Sequence, residues 1–155
     1  MKSEKQLVQS ELLFQMILEE LEKRPVQFIV TGMSMWPFLC HGRDQVIIDK
    51  CYLPDLKKGD IVLYKTSDSH YILHRITCIK NHQFETTGDG NCYRDGYYDL
   101  SCIQAKVIRI IRKNKVIDCY HLKWKVIFQF WMFLFPIRFF LLKILKLISK
   151  IKSTV

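Results

Sequence analysis

The chain has no C-x-x-C pair and no cysteine–histidine cluster at zinc-ligand spacing, so zinc ribbons and dithiol redox motifs are excluded. Its six cysteines, Cys40, Cys51, Cys78, Cys92, Cys102 and Cys119, are scattered singly. Such residues read as reduced, small hydrophobes, although an even count leaves a disulfide framework open. No apolar run reaches the ~20 residues of a simple membrane-spanning helix. Internal repeats and low-complexity tracts are missing too, which excludes solenoids and fibrous classes. The first 25 residues, MKSEKQLVQSELLFQMILEELEKRP, lack a compact apolar block followed by small residues and carry several glutamates, so a signal peptide is not expected. Acids are nearly absent from the last third. Residues 106–155 hold 12 Lys/Arg against the single Asp118, whereas residues 1–105 hold 12 Lys/Arg against 14 Asp/Glu. The net charge of +9 therefore resides in the tail, which points to an anionic membrane surface or a nucleic acid.

What is present has globular composition: 155 residues, 49% hydrophobic and 25% charged, enough for one modest domain with an appendage. Residues 1–25 predict an N-terminal amphipathic helix. Leu7, Phe14, Leu18 and Leu21 form one stripe, Ser3 and Gln6 have capping-box spacing, and Pro25 ends it. The helix is too short and too acidic to read DNA as a helix-turn-helix, so no nucleic-acid partner is expected. Residues 26–118 change to short β-rich runs: VQFIVTG, QVIID, DIVLYK, YILHRITCIK, QFETT and CIQAKVIRIIRK, separated by Gly-, Asp-, Asn- and Pro-bearing turns. That pattern predicts an all-β barrel or sandwich domain.

Residues 119–155 predict a basic, apolar helical tail. Val126 to Ile137 is a run of 12 residues without a charge, interrupted at Pro136. Beyond Arg138, Lys143, Lys146 and Lys150 fall within about 60° on a helical wheel, roughly opposite Phe140, Ile144, Ile148 and Ile151. This is the pattern of a helix lying on anionic lipid, with Trp124, Trp131 and the phenylalanines suiting the interface. The competing reading is a hairpin packed on the protein's own body. The expected localisation is membrane-associated through the tail, with reduced-looking cysteines leaning to the cytoplasmic side.

Four segments of the β region carry candidate chemistry. Ser34 lies in GMSMWP, between two methionines, where a hydroxyl gains little from packing. It reads either as a turn residue bonding local backbone or as a nucleophile on a turn stiffened by Pro37. His74 in HRI shares a strand face with Ile72 and Ile76. It reads as a core histidine or as a partly desolvated, neutral general base. GDIV (Gly59 to Val62) is the third segment. GDGNCYRD (Gly88 to Asp95) is the fourth, and its aspartates either shape the loop or orient an imidazole. No metal or other cofactor is expected.

The order and company of SMWP, GDIVLY, HRI and TTGDGN....D resemble the conserved boxes of type I signal peptidases and their S24/S26 serine peptidase relatives. The match runs from about Gly32 to Lys106. The resemblance implies a mainly β fold of coiled antiparallel sheets, here with the N-terminal amphipathic helix and the C-terminal basic amphipathic tail. It implies a serine endopeptidase that cleaves a peptide or preprotein, as in signal-peptide processing, through a Ser-His(-Asp) acyl-enzyme. The implied catalytic residues are Ser34, His74 and Asp95. His74 stands where many bacterial members carry lysine, which is the histidine-bearing branch typified by endoplasmic-reticulum and archaeal-type enzymes. Gly32, Met35, Pro37, Gly59, Asp60, Gly88, Asp89 and Asn91 fall on positions of oxyanion or structural support. Gly32 brings no side chain as a second oxyanion donor, and where typical signal peptidases carry a membrane span just before the serine, this sequence has the amphipathic stretch. The alternative from another class is a non-catalytic peptide-binding or scaffolding relative. A self-cleaving repressor would pair serine with lysine behind a DNA-binding domain, and the sequence shows neither feature.

Overall fold

A computed structural model describes the backbone of residues 2–152 and the side chains of residues 11–151. The chain is mainly β in its central body. Helix α1 (Lys2–Leu21) leads into strands β1 (Val26–Ile29), β2 (Asp44–Asp49), β3 (Ile61–Lys65), β4 (Tyr71–Lys80), β5 (Gln83–Thr87), β6 (Tyr97–Asp99), β7 (Ile103–Arg112) and β8 (Lys115–Asp118). Helices α2 (Leu122–Phe133) and α3 (Arg138–Lys152) follow. The six β-rich runs of the sequence all contain strands; β6 and β8, short and largely exposed, were not read from it. Helix α1 already begins at Lys2, before Ser3, and the side chains of Ser3, Gln6 and Leu7 lie outside the described residues.

All pairings are antiparallel, in the order β1-β2-β7-β3-β4-β5-β6, with β8 also on β7. Strand β7 holds the sheet together. It pairs with β2 over residues 106–112, with β3 over 103–106 and with β8 over 109–112. Strand β3 shows why IVLY has no polar alternation. Ile61 and Leu63 belong to one apolar cluster, with Val46, Ile48, Ile17 and Phe128; Val62 and Tyr64 belong to a second, with Ile76 and Phe84. Both faces of β3 are buried, so alternation would leave polar groups without water. Helix α1 covers the first cluster through Ile17 and Leu21, as its stripe requires.

The C-terminal third divides at Pro136. His121 caps α2, its Nδ1 accepting from the Lys123 N–H at 3.3 Å. Phe128, Trp131 and Met132 of α2 are buried against the body. Pro136 sits in a short 3₁₀ turn, Phe135–Ile137, and α3 then sets off with Arg138 and Leu142 buried and Phe140, Ile144, Leu147 and Ile151 exposed. The charge-free run is thus docked by one side of α2 only: Val126, Phe130 and Phe133 are exposed on its other side, so α2 and α3 both present open apolar faces. Among the described residues no helix is long and apolar enough to cross a membrane. All six cysteines are unpaired.

Candidate functional site

Ser34 is placed by a tight turn after β1. Val30 closes the loop that holds Ser34, its N–H donating to the Asp44 carbonyl and its carbonyl accepting from the Gly42 N–H, both at 3.0 Å. Gly32 then takes φ +84°, a left-handed backbone that a side chain would strain. The Trp36 N–H donates to the Met33 carbonyl and the Leu39 N–H to the Met35 carbonyl, at 3.0 and 2.8 Å. Met35 and Leu39 anchor the turn in the core, while Met33 stays exposed and Ser34 is half-buried. Pro37 follows a cis Trp36–Pro37 peptide. Beyond the turn, the buried Asp44 carboxylate fixes the chain. It accepts from the Cys40 N–H, from Arg43 and from Arg112, and Arg112 also donates to the Phe38 carbonyl. Burial pushes the Asp44 carboxyl up, but the hydrogen bonds from Arg43 and Arg112 outweigh it and hold the group below its ordinary range.

His74 lies on β4, opposite Val62 of β3 and only 7% exposed. Its Nδ1 is 2.6 Å from Asp95 Oδ2. The same oxygen accepts the Thr86 hydroxyl at 2.8 Å, and Thr86 Oγ1 lies 2.9 Å from the Tyr64 hydroxyl. Thr86 and Tyr64 are both fully buried. Proton counting orders this row. Thr86 gives its one proton to Asp95, so the Tyr64 hydroxyl must donate to Thr86. Burial raises the Tyr64 phenol well above its ordinary value, which keeps that donor protonated. A carboxylate at Asp95 requires a proton on His74 Nδ1, and this leaves Nε2 of a neutral ring as an acceptor.

Gly88 is where the two halves meet. A Cβ on Gly88 would lie 2.4 Å from the Ser34 carbonyl oxygen and 3.0 Å from His74 Nε2. A methyl group there would wedge the serine turn from the imidazole. Gly90 approaches as closely: its N–H donates to the Ser34 carbonyl at 2.7 Å, and a Cβ would meet the Met33 and Trp36 carbonyls at 3.0 and 2.9 Å. The glycines of GDGN therefore serve contact between two backbones, not only a turn. Ser34 and His74 also open into one cavity of about 270 Å³, walled by Phe14, Phe28, Leu63 and Tyr71.

Asp89 takes a different partner from Asp95. It is fully buried and receives a two-pronged bond from Arg75, Nε to Oδ1 at 2.8 Å and Nη2 to Oδ2 at 2.6 Å. Arg75 also donates to the Gly59 carbonyl at 2.8 Å and lies over the Phe128 ring at 4.0 Å. Gly59, at φ +101°, places that carbonyl, while the Asp60 carboxylate accepts from the Lys57 N–H and from Lys106 at 3.4 Å. Asn91 closes the loop, its N–H donating to the Gly88 carbonyl at 3.0 Å. The GDIV and GDGN segments are thus joined through Arg75.

Sequence reading missed four participants. Thr86 and Tyr64 are ordinary strand residues by pattern, and only the TT before GDGN hints at the first. Arg75 sits in the HRI segment but draws no role from spacing. Arg138, in the sequence only the charge that ends the apolar run Val126 to Ile137, is fully buried. It donates to the Gly88, Asn91 and Trp131 carbonyls at 3.3 to 3.4 Å, and Trp131 Nε1 donates to the Asp89 carbonyl at 3.2 Å. Burial lowers the Arg138 guanidinium from its ordinary value, with the Asp89 carboxylate pulling the other way. Among the described residues no group of His, Cys, Asp and Glu is arranged to hold a metal ion. No family model matches the chain, no curated protein matches it, and no solved structure matches it.

Proposed function

We propose that the chain is a serine endopeptidase of the signal peptidase-like S24/S26 type, cleaving a peptide or preprotein beside a membrane. The observation that carries this reading is the convergence at Gly88 of the Ser34 turn and the His74 Nε2 whose other nitrogen bonds Asp95. In the proposed reaction Ser34 Oγ attacks the scissile carbonyl and passes its proton to His74 Nε2. Asp95 stabilises the imidazolium through Nδ1–H. The C–N bond breaks, Nε2 returns the proton to the leaving amine, and an acyl-Ser34 ester remains. Nε2 then takes a proton from water as the water oxygen bonds to the acyl carbon, and it passes that proton to Ser34 Oγ as the ester C–O bond breaks, which releases the acid and restores the hydroxyl. The Gly32 N–H already donates to His41 Nδ1 at 3.2 Å. Stabilising the oxyanion therefore falls to the Ser34 N–H and a neighbouring amide. Labelling with a fluorophosphonate and peptide mass mapping tests the reading: the adduct is expected on Ser34, and an unlabelled Ser34 in folded protein overturns it.

Thr86 and Tyr64 act in this reading as positioning residues for Asp95. Thr86→Val keeps the β-branched shape and removes one of the two bonds accepted by Asp95 Oδ2. Hydrogen bonds to charged groups contribute about 1.5–3 kcal/mol, so kcat is expected to fall about ten- to a hundredfold with KM little changed. Thr86→Ser should restore most of it. A normal kcat in Thr86→Val would show that Asp95 needs no such support.

The membrane assignment rests on α3. Its outward apolar residues Phe140, Ile144, Leu147 and Ile151 are exposed, and Lys143 and Lys146 flank them. Each lysine near an anionic surface contributes about 1 kcal/mol, screened by salt. Lys143→Gln with Lys146→Gln is expected to weaken binding to phosphatidylglycerol vesicles about thirtyfold in sedimentation at low salt. Apolar burial should leave a salt-resistant remainder. Equal partitioning of both proteins would remove the lysines from the contact.

A further inference from the structure

We infer that the cavity where α3 begins, lined by Lys58, Thr77, Arg94 and Arg138, binds a small inorganic monoanion of chloride size, which compensates the buried Arg138 guanidinium. The inference does not depend on the peptidase reading. The charge balance of the interior is the first argument. Arg138 is fully buried, yet its hydrogen bonds all go to neutral carbonyls, those of Gly88, Asn91 and Trp131, at 3.3 to 3.4 Å. Its Nε is buried with no hydrogen-bond partner among the described residues. The other buried cations are paired, Arg75 with Asp89 at 2.6 Å and Lys106 with Asp60 at 3.4 Å. Asp89 favours Arg138 electrostatically, but both its oxygens are bonded to Arg75. Two buried guanidiniums therefore share one carboxylate. A buried charge without compensation is costly, and a buried donor without a partner points to a bound ion or water. Water would satisfy the N–H but brings no charge.

The second argument is the cavity itself. It measures about 50 Å³, and Met132 and Phe135 complete its lining. Benzene needs about 150 Å³, so this space suits an ion of one or a few atoms and not an organic ligand. Lys58 and Arg94 are exposed and give an ion a way in from the surface. Among the described residues that line the cavity there are three cations and a hydroxyl, and no carboxylate. Behind them the Glu85 carboxylate accepts from Arg94 and from the Thr77 hydroxyl, each at 2.8 Å. It balances Arg94 and leaves Lys58 and Arg138. The third argument is the placing of the two guanidiniums. Arg94 and Arg138 both lie over the Phe135 ring, at 5.3 and 4.8 Å. Like charges gathered at one ring repel, and an anion in the cavity that both line replaces repulsion by two attractions. Through Arg138 the ion steadies the Gly88 and Asn91 carbonyls, and so the loop that meets the Ser34 turn and His74.

The test uses the full chain in sodium chloride and in sodium gluconate at equal ionic strength. Gluconate is too large to enter the cavity, and general screening is the same in both salts. An ion that binds only the folded protein raises its stability with the logarithm of ion concentration once above Kd. The unfolding midpoint is therefore expected to stand about 3 °C or more higher in chloride than in gluconate, at chloride about ten times Kd. Lys58→Gln with Arg94→Gln removes two charges at the rim and keeps an amide donor for Glu85. It should raise the chloride concentration that gives half the effect about tenfold. Arg138→Met should abolish the difference between the salts. Each protein is compared with itself, so a general loss of stability does not enter. Crystals grown in bromide should carry its anomalous signal in this cavity. Equal midpoints in the two salts overturn the inference, as does an unchanged chloride dependence in the double variant or in folded Arg138→Met. Should Arg138→Met fail to fold, the double variant decides. A bromide peak in the cavity without a chloride effect in solution marks an adventitious ion only and overturns the inference as well.

Discussion

Ser34→Ala is expected to reduce turnover by about six orders of magnitude and to leave the fold in place. A nucleophile that acts as a unit with its base removes nearly all chemistry when deleted, and deleting both should cost no more than deleting either. His74→Ala and the Ser34→Ala/His74→Ala pair should therefore sit at the same residual rate as Ser34→Ala. The half-buried hydroxyl is not part of either apolar cluster, and the turn is held by backbone bonds of the Ser34 carbonyl and its neighbours, which alanine keeps. Substitutions of this kind stay within about 0.5 kcal/mol, which for a chain of 155 residues is a shift of about 2 °C or less in the unfolding midpoint. Rates on a verified substrate, measured beside thermal unfolding, check both halves. Wild-type cleavage by Ser34→Ala would end the assignment of the nucleophile. A further drop in the double variant would show that serine and histidine act separately.

The strands were legible because their signal is local. The run YILHRITCIK predicts a strand over residues 71–80, and β4 occupies those residues. Its β-branched and aromatic side chains fit a pleated surface with no help from elsewhere. The division of the tail at Pro136 was legible for the same reason, since a proline removes a donor wherever it stands. Contacts between distant segments were not. Nothing in the spacing of Tyr64, Thr86 and Asp95 says that a phenol, a hydroxyl and a carboxylate form one row, because the row exists only through the pairing of β3 with β4 and of β4 with β5. Both aspartates of GDGNCYRD were candidates to orient His74 until strand pairing placed Arg75 against one and His74 against the other. Arg138 shows the strongest override. A charge at the edge of an apolar run normally reaches for water, yet here it ends among three backbone carbonyls and two aromatic rings.

Asp89→Asn is expected to destabilise the fold more than any other single change in the site, by about 3–5 kcal/mol. Asp89 and Arg75 are both fully buried and joined by two bonds. Removing the charge of one partner leaves a guanidinium without compensation in a low-dielectric interior. The cost is sharpened by Arg138, a second fully buried guanidinium that the Asp89 carboxylate favours electrostatically and Arg75 disfavours. Asparagine can still accept one bond, so the loss is of charge and of the two-pronged geometry. A domain of this size has about 5–15 kcal/mol in total, so the variant should unfold at a clearly lower urea concentration with an unchanged slope. Arg75→Met with Asp89→Leu should recover part of the loss, because neither charge then needs a partner. Full recovery is not expected, since Arg75 also donates to the Gly59 carbonyl and covers the Phe128 ring. The effect should also reach the reaction. Asp89 lies between Gly88, which touches the Ser34 turn and His74, and Gly90, which donates to the Ser34 carbonyl. Folded Asp89→Asn should therefore lose rate at temperatures well below its unfolding midpoint. A stability in urea within about 0.5 kcal/mol of the wild type would mean that Arg138 or solvent compensates Arg75. The joint between GDIV and GDGN would then be weaker than its geometry implies.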